Sequence, residues 1–215
     1  MHLEQASGIV LRTRLLTETS LIVHWLTEDQ GRIATVAKGA RRPRSVYRGK
    51  LDLFYEARFT FQRSRRSDLH GLRELSLEDT HPVLRTDLPR LSQVCYAALL
   101  IELASETDTP LPTLHALLTD LVRTLDVRPA APHFPVAFEL RLLADAGLLP
   151  DLSRTRLSAG SRQILEALRR LGFPDAVRIQ PTGVQWDEIR SFLGALITEH
   201  WGRVPAGRGA ALGGD

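Results

Sequence analysis

Thirteen consecutive residues, KGARRPRSVYRGK at Lys38–Lys50, carry six cationic side chains and no acid. Guanidinium forks and ammonium groups at that density suit a polyphosphate, which repays several neutralised charges at once. A charge run of this kind is also what a solvated loop carries, so charge alone leaves both readings open. Within it, Pro43 stiffens the chain, and Gly39 and Gly49 permit close backbone approach. Tyr47 lies among the arginines and has two open roles: a platform for bases, or a pin holding the loop to its domain. A smaller cluster, Arg63-Ser64-Arg65-Arg66, reads as a solvated turn.

Catalytic chemistry finds no comparable footing. The chain has no GxSxG, no HExxH and no phosphate-binding P-loop. Its histidines (2, 24, 70, 81, 115, 133, 200) are scattered, none three or four residues from another. The acidic pairs Glu28-Asp29, Glu78-Asp79 and Asp187-Glu188 fit turns and helix starts. Cys95 is the single cysteine, so neither an intramolecular disulfide nor a thiolate zinc site is expected. The expectation is a binding protein, not an enzyme, with no cofactor and no metal.

The 215 residues hold 28 Lys or Arg against 25 Asp or Glu. The excess is uneven: residues 1–80 carry 14 basic and 10 acidic side chains, and the remainder 14 and 15. A basic first third thus precedes a near-neutral remainder. At 43% hydrophobic and 25% charged the composition is that of a globular protein. The N-terminus lacks a signal layout and no apolar run approaches the ~20 residues of a membrane span, so a cytoplasmic location is expected.

The elements that position these residues change period near residue 81. Before it, alternation marks strands at Gly8–Leu16, Ser20–Leu26, Arg32–Lys38, Leu51–Arg63 and Leu69–Leu77. In the fourth, Leu51, Leu53, Tyr55, Ala57, Phe59 and Phe61 share an apolar face. Phe54 and Arg58 then look outward, as do Arg12 and Arg14 on the first strand. Phe54 either stacks on bases or packs on the helical part. Five strands in about eighty residues predict a small antiparallel barrel, whose closure removes exposed edges. After it, apolar spacings of three and four predict helices at Leu88–Ala104, within 111–125, at Phe138–Ala146, Ser161–Leu171 and Trp186–Trp201. The expected organisation is α+β: a barrel over 1–80, an all-helical domain over 81–204 and a frayed tail over 205–215.

At this level the chain resembles the RecO family of bacterial recombination mediators. The resemblance rests on GIVL at 8–11, ETSLIV at 18–23, the T-x-x-x-G-R-I turn at 27–33 and the KGARRPRS loop at 38–45. FELRLLADAGLLPDL at 138–152 and EHWGR at 199–203 extend it. It implies an oligonucleotide-binding (OB) barrel followed by helices. It further implies a bacterial, cytoplasmic repair protein that joins the nucleoid during repair. Such a protein binds single- and double-stranded DNA, anneals complementary strands, and works with RecR to load RecA onto strands coated by single-stranded-DNA-binding protein. Read from the residues themselves, the DNA-binding candidates are Lys38, Arg41, Arg42, Arg44, Tyr47, Arg48 and Lys50, with Arg12, Arg14, Phe54 and Arg58 extending the patch, and the likeness of the KGARRPRS loop supports that reading. The family's helical domain receives the acidic tail of the single-strand-binding protein in a basic-rimmed pocket, for which Arg141 and arginines 154, 156, 162, 169 and 170 are rim candidates. Many members place two cysteine pairs after P-D-L; here Thr155 and Ser158 stand at the first pair and the second is deleted, so a form without a zinc finger is expected. Two other functions remain open: an RNA- or ribosome-binding barrel, and a scaffold that docks an acidic protein.

Overall fold

The computed structural model describes residues 3–214. The chain divides into two compact units, residues 1–81 with 105–119 and residues 82–104 with 120–215. The segment 105–119, expected among the helices, therefore belongs with the barrel.

The first unit is a closed barrel of β1 (Leu3–Leu15), β2 (Leu21–Thr27), β3 (Gly31–Ala37), β4 (Glu56–Gln62) and β5 (Leu69–Asp79), in the order β1-β2-β3-β5-β4. This is the OB topology. The barrel is not wholly antiparallel, because β3 closes onto β5 in parallel over Ala34–Val36 and Leu69–Gly71. Alternation drives the interior: Val10, Val23, Trp25, Ile33, Ala57, Phe59, Phe61 and Leu72 form one buried cluster. Trp25 and Phe59 stack at a centroid distance of 4.3 Å, and the indole N–H donates to the Thr35 hydroxyl at 2.8 Å. That bond lets a polar ring edge sit in an apolar core.

Two irregularities break the expected alternation. A bulge between Val10 and Arg12 makes Ile9, Val10 and Leu11 all buried. Residues 51–55 form a turn instead of the start of β4, and Phe54 takes the left-handed conformation at φ 62°. Its N–H donates to the Val10 carbonyl at 2.8 Å, while the Val10 N–H donates to Tyr55 at 3.0 Å. Those two bonds hold a side-chain-bearing residue in a region that L residues seldom adopt.

Segment 105–110 lies along β3. The Asp108 N–H donates to the Arg32 carbonyl at 2.9 Å, and the Arg32 guanidinium donates to the Ser105 carbonyl. Gly31, at φ 68°, is required there: a Cβ would lie 1.7 Å from the Thr109 carbonyl oxygen.

The second unit comprises α1 (Leu88–Ala104), the C-terminal half of α2 (Pro112–Val127), α3 (His133–Asp145), α4 (Ala159–Arg170), α5 (Phe173–Ala176), α6 (Gly183–Trp201) and α7 (Arg208–Ala211). The most deeply buried helix is α3, with every residue from Phe134 to Leu140 buried. It starts five residues before the expected Phe138, because Pro135 falls in the first turn, where no intrahelical donor is lost. At the two positions where the family resemblance would place a cysteine pair, the Thr155 hydroxyl donates to the Leu152 carbonyl, and Ser158 caps α4. The Glu188 carboxylate accepts from the Ser158 N–H and hydroxyl and from the Ser161 hydroxyl, at 2.5–2.8 Å. These bonds hold its carboxyl below the ordinary range and tie the start of α4 to α6. Among the described residues no helix is long and apolar enough to cross a membrane.

The tail corrects another expectation. Residues 205–214 do not fray: Ala211 and Leu212 are buried, and the Arg208 guanidinium donates to both oxygens of Glu139 at 2.7 and 2.8 Å. Glu139 is fully buried and also accepts the Tyr96 hydroxyl at 2.6 Å. The sequence reading missed this because a single arginine supplies the anchor that apolar content did not promise. Removing one partner of a buried ion pair strands the other charge. Arg208→Ala is therefore expected to cost about 3–5 kcal/mol in urea unfolding of the full chain; a loss below about 0.5 kcal/mol would return the tail to a frayed state.

Candidate nucleic-acid interface

The basic segment is an ordered cap on one end of the barrel. Successive turns run through it, with the N–H groups of Ala40, Arg42, Ser45, Arg48 and Lys50 each donating three residues back. Ala40 and Tyr47 enter the barrel core, and the Tyr47 hydroxyl donates to the carbonyls of Leu72 and Arg73 at 3.1 and 2.8 Å. Burial pushes the Tyr47 phenol up, so it stays a neutral donor. At the other side the Arg41 N–H donates to the Thr19 carbonyl at 3.0 Å, and its guanidinium to the Glu18 carbonyl at 3.0 Å. The loop thus bridges the β1–β2 hairpin tip and β5.

Lys38, Arg41, Arg42, Arg44 and Arg48 are exposed and Lys50 is half-buried. Among the described residues none of these six forms an ion pair. Their charges are free to meet an external anion. Arg48 donates to the Pro43 carbonyl, which orients its guanidinium without neutralising it.

The two aromatic candidates are corrected. Tyr47 is 8% exposed and Phe54 1%, so neither offers a face to a base. Tyr47 is the pin; Phe54 is turned inward by its left-handed backbone. Trp25, Phe59 and Phe61 are also buried, and Tyr55 packs partly on the same core. Among the described residues of this unit no aromatic ring is exposed.

Of the flanking arginines, Arg12 and Arg14 stand on the outer face of β1, paired across the ladder with His24 and Ile22. His24 faces Ala34 on β3, and Arg32 follows on the same outer face. Burial and then the charges of Arg12, Arg14 and Arg32 push the His24 imidazole down to about 4, so it is neutral at physiological pH. Its Nε2 is buried without a partner beside a cavity of about 170 Å³ whose lining includes Arg32, Asp68, Leu69 and Thr107. Sequence reasoning missed His24 and Arg32 because only the strand register places them beside Arg12. Arg58 is on β4, paired to Glu78 at 3.0 Å and beside Glu74, so it does not join the basic cap. Arg63 is likewise engaged, by Glu4 at 2.8 Å and Asp108 at 2.7 Å.

In the helical unit the proposed rim arginines are mostly engaged. Arg141 donates to the carbonyls of Leu168 and Leu171 and lies 4.5 Å over the Phe173 ring. Arg154 pairs with Asp151, Arg169 and Arg170 with Glu166, and Arg162 donates to the Ser153 carbonyl.

The lowered His24 pKa has a sign. Below its ordinary value of 6.5 the unfolded chain takes up a proton that the folded chain refuses until about pH 4. Stability present above pH 6.5 is therefore lost as the pH falls towards 4. His24→Gln is expected to reduce the drop in urea midpoint between pH 7 and pH 4.5; an unchanged drop would show that acid loss arises elsewhere.

Comparison with known proteins agrees with this architecture. The family model described as "Recombination protein O N terminal" matches residues 1–81, and that described as "Recombination protein O C terminal" matches 85–156. The proteins named "DNA repair protein RecO" from Pelotomaculum thermopropionicum and from Anaeromyxobacter sp. strain Fw109-5 are each 34% identical, over 154 and 144 residues. These matches cover 72% and 67% of this chain but 59% and 56% of the relatives. The protein of the same name from Exiguobacterium sibiricum is 31% identical over 156 residues, 70% of this chain and 60% of its own. The chain thus spans less than two thirds of the length of the curated relatives it matches. With a barrel-then-helices order and both family models in register with it, the chain belongs to the RecO family of DNA repair proteins.

Proposed function

We propose that this protein is a non-enzymatic recombination mediator that binds single- and double-stranded DNA and anneals complementary strands. With RecR it helps load RecA onto DNA covered by single-stranded-DNA-binding protein, whose acidic tail docks on the helical unit. The observation that carries the reading is the ordered cap of six unpaired cations, Lys38, Arg41, Arg42, Arg44, Arg48 and Lys50, on a rigid barrel end. Arg12 and Arg14 extend the cationic surface along β1. Annealing is limited by repulsion between two phosphate chains, and a cationic surface lowers that repulsion without nucleotide hydrolysis. Strand pairing of this kind needs no nucleophile, which accords with the absence of a recognisable catalytic motif. The proposed division of labour follows: the barrel unit, residues 1–81 with 105–119, meets nucleic acid, and the helical unit meets protein partners.

If each of the six cations neutralises one phosphate of a single strand, log affinity falls with log salt at a slope of about −4. In fluorescence anisotropy with a labelled single strand, Arg41→Ala/Arg42→Ala/Arg44→Ala is expected to flatten that slope by about 2. An unchanged slope would contradict the assignment of the loop. Tighter binding to RNA than to DNA of equal sequence would favour an RNA partner instead.

A further inference from the structure

The barrel unit shows no fully exposed aromatic ring among its described residues: Trp25, Tyr47, Phe54, Phe59 and Phe61 are buried and Tyr55 is half-buried. It does expose large aliphatic side chains, and three of them lie in the segments joined by Arg41. Leu15 is 64% and Leu16 45% exposed at the β1–β2 hairpin tip, and Val46 is 70% exposed inside the basic loop. A hairpin tip ordinarily carries polar residues, and clustered exposed leucines on a soluble surface mark a contact.

The tip is also stiff. The Leu16 N–H donates to the Ser20 carbonyl at 3.0 Å, and the Thr17 hydroxyl accepts from the N–H of Thr19 and of Ser20 at 3.4 and 3.1 Å. Arg41 fastens the cationic loop to it through two carbonyls, Thr19 and Glu18. The exposed Glu18 carboxylate at the apex disfavours a phosphate there. A strand whose phosphates run along the arginines must turn its uncharged bases, not its backbone, toward the tip.

The geometry points to Leu15 and Leu16 as an aliphatic wedge that enters between unpaired bases of the bound strand and holds them unstacked. The inference rests on the DNA-binding reading above and names what part of the strand the barrel touches. Aliphatic insertion between base steps is an established way to part a stack, and the cost is repaid by phosphate contacts alongside. A base held out of its stack, with its pairing edge free, is the form that a complementary strand can pair with. The wedge thus gives the annealing surface a preference for unpaired bases over an intact duplex.

The test uses the full chain and a single-stranded oligonucleotide carrying 2-aminopurine, whose emission rises when it leaves the stack. Wild type is expected to raise the emission. Leu15→Ser/Leu16→Ser is expected to hold it at the level of the free oligonucleotide, and to weaken affinity by about fivefold with the salt slope unchanged. Leu15→Met/Leu16→Met keeps the apolar bulk and is expected to restore the emission. If the serine variant raises the emission as wild type does, the wedge is overturned while the DNA-binding reading stands. If the serine variant loses affinity for an acidic apolar peptide but keeps the full emission change, the tip serves a protein and the wedge is again overturned. Absence of salt-dependent DNA binding in wild type overturns both.

Discussion

Six like charges within thirteen residues repel one another, and an unanchored loop of that composition would swell into solvent. The shape of the basic cap depends on Tyr47. Its ring enters the core and its hydroxyl reaches two β5 carbonyls, while Ala40 fills the core beside it. The apolar burial and the paired hydroxyl oppose the electrostatic pressure and leave the cations facing outward. Pre-ordering matters for function, because a loop already fixed loses less entropy when a phosphate chain binds.

The same economy of anchors appears in the helical unit. At the position where the family resemblance would place a cysteine pair, a carboxylate on α6 gathers the hydroxyls of Ser158 and Ser161 and the N–H of Ser158. Glu139, Tyr96 and Arg208 form a second polar node, which fastens the last helical turn. Both nodes satisfy their members, the condition under which a polar cluster specifies packing instead of weakening it.

Much of this was legible in the sequence, and the reasons are local. Strands β1 to β3, the inward set Ala57, Phe59 and Phe61, the long helices and the cationic run all follow from period and composition. What escaped was set by contacts distant in sequence. Phe54 breaks its alternation because it pairs with Val10, forty-four positions away along the chain. The parallel closure of β3 on β5, the return of segment 105–110 to β3, and the placing of His24 beside Arg12 and Arg32 are register facts. Tyr47 was open between two roles, and burial decides for the pin. Arg208 looked like a lone charge in a glycine-rich tail because its partner lies sixty-nine residues earlier.

The central claim is that the strand is carried by the capped end of the barrel. An amide chemical-shift titration of the isotope-labelled protein with an unlabelled single strand tests it residue by residue. The account predicts that the largest perturbations fall on 38–50 and on the hairpin tip at 15–20, with smaller ones at Arg12, Arg14 and His24. Perturbations confined to the face of β4 and β5 around Arg58 and Glu74, or to the helical unit alone, would contradict it.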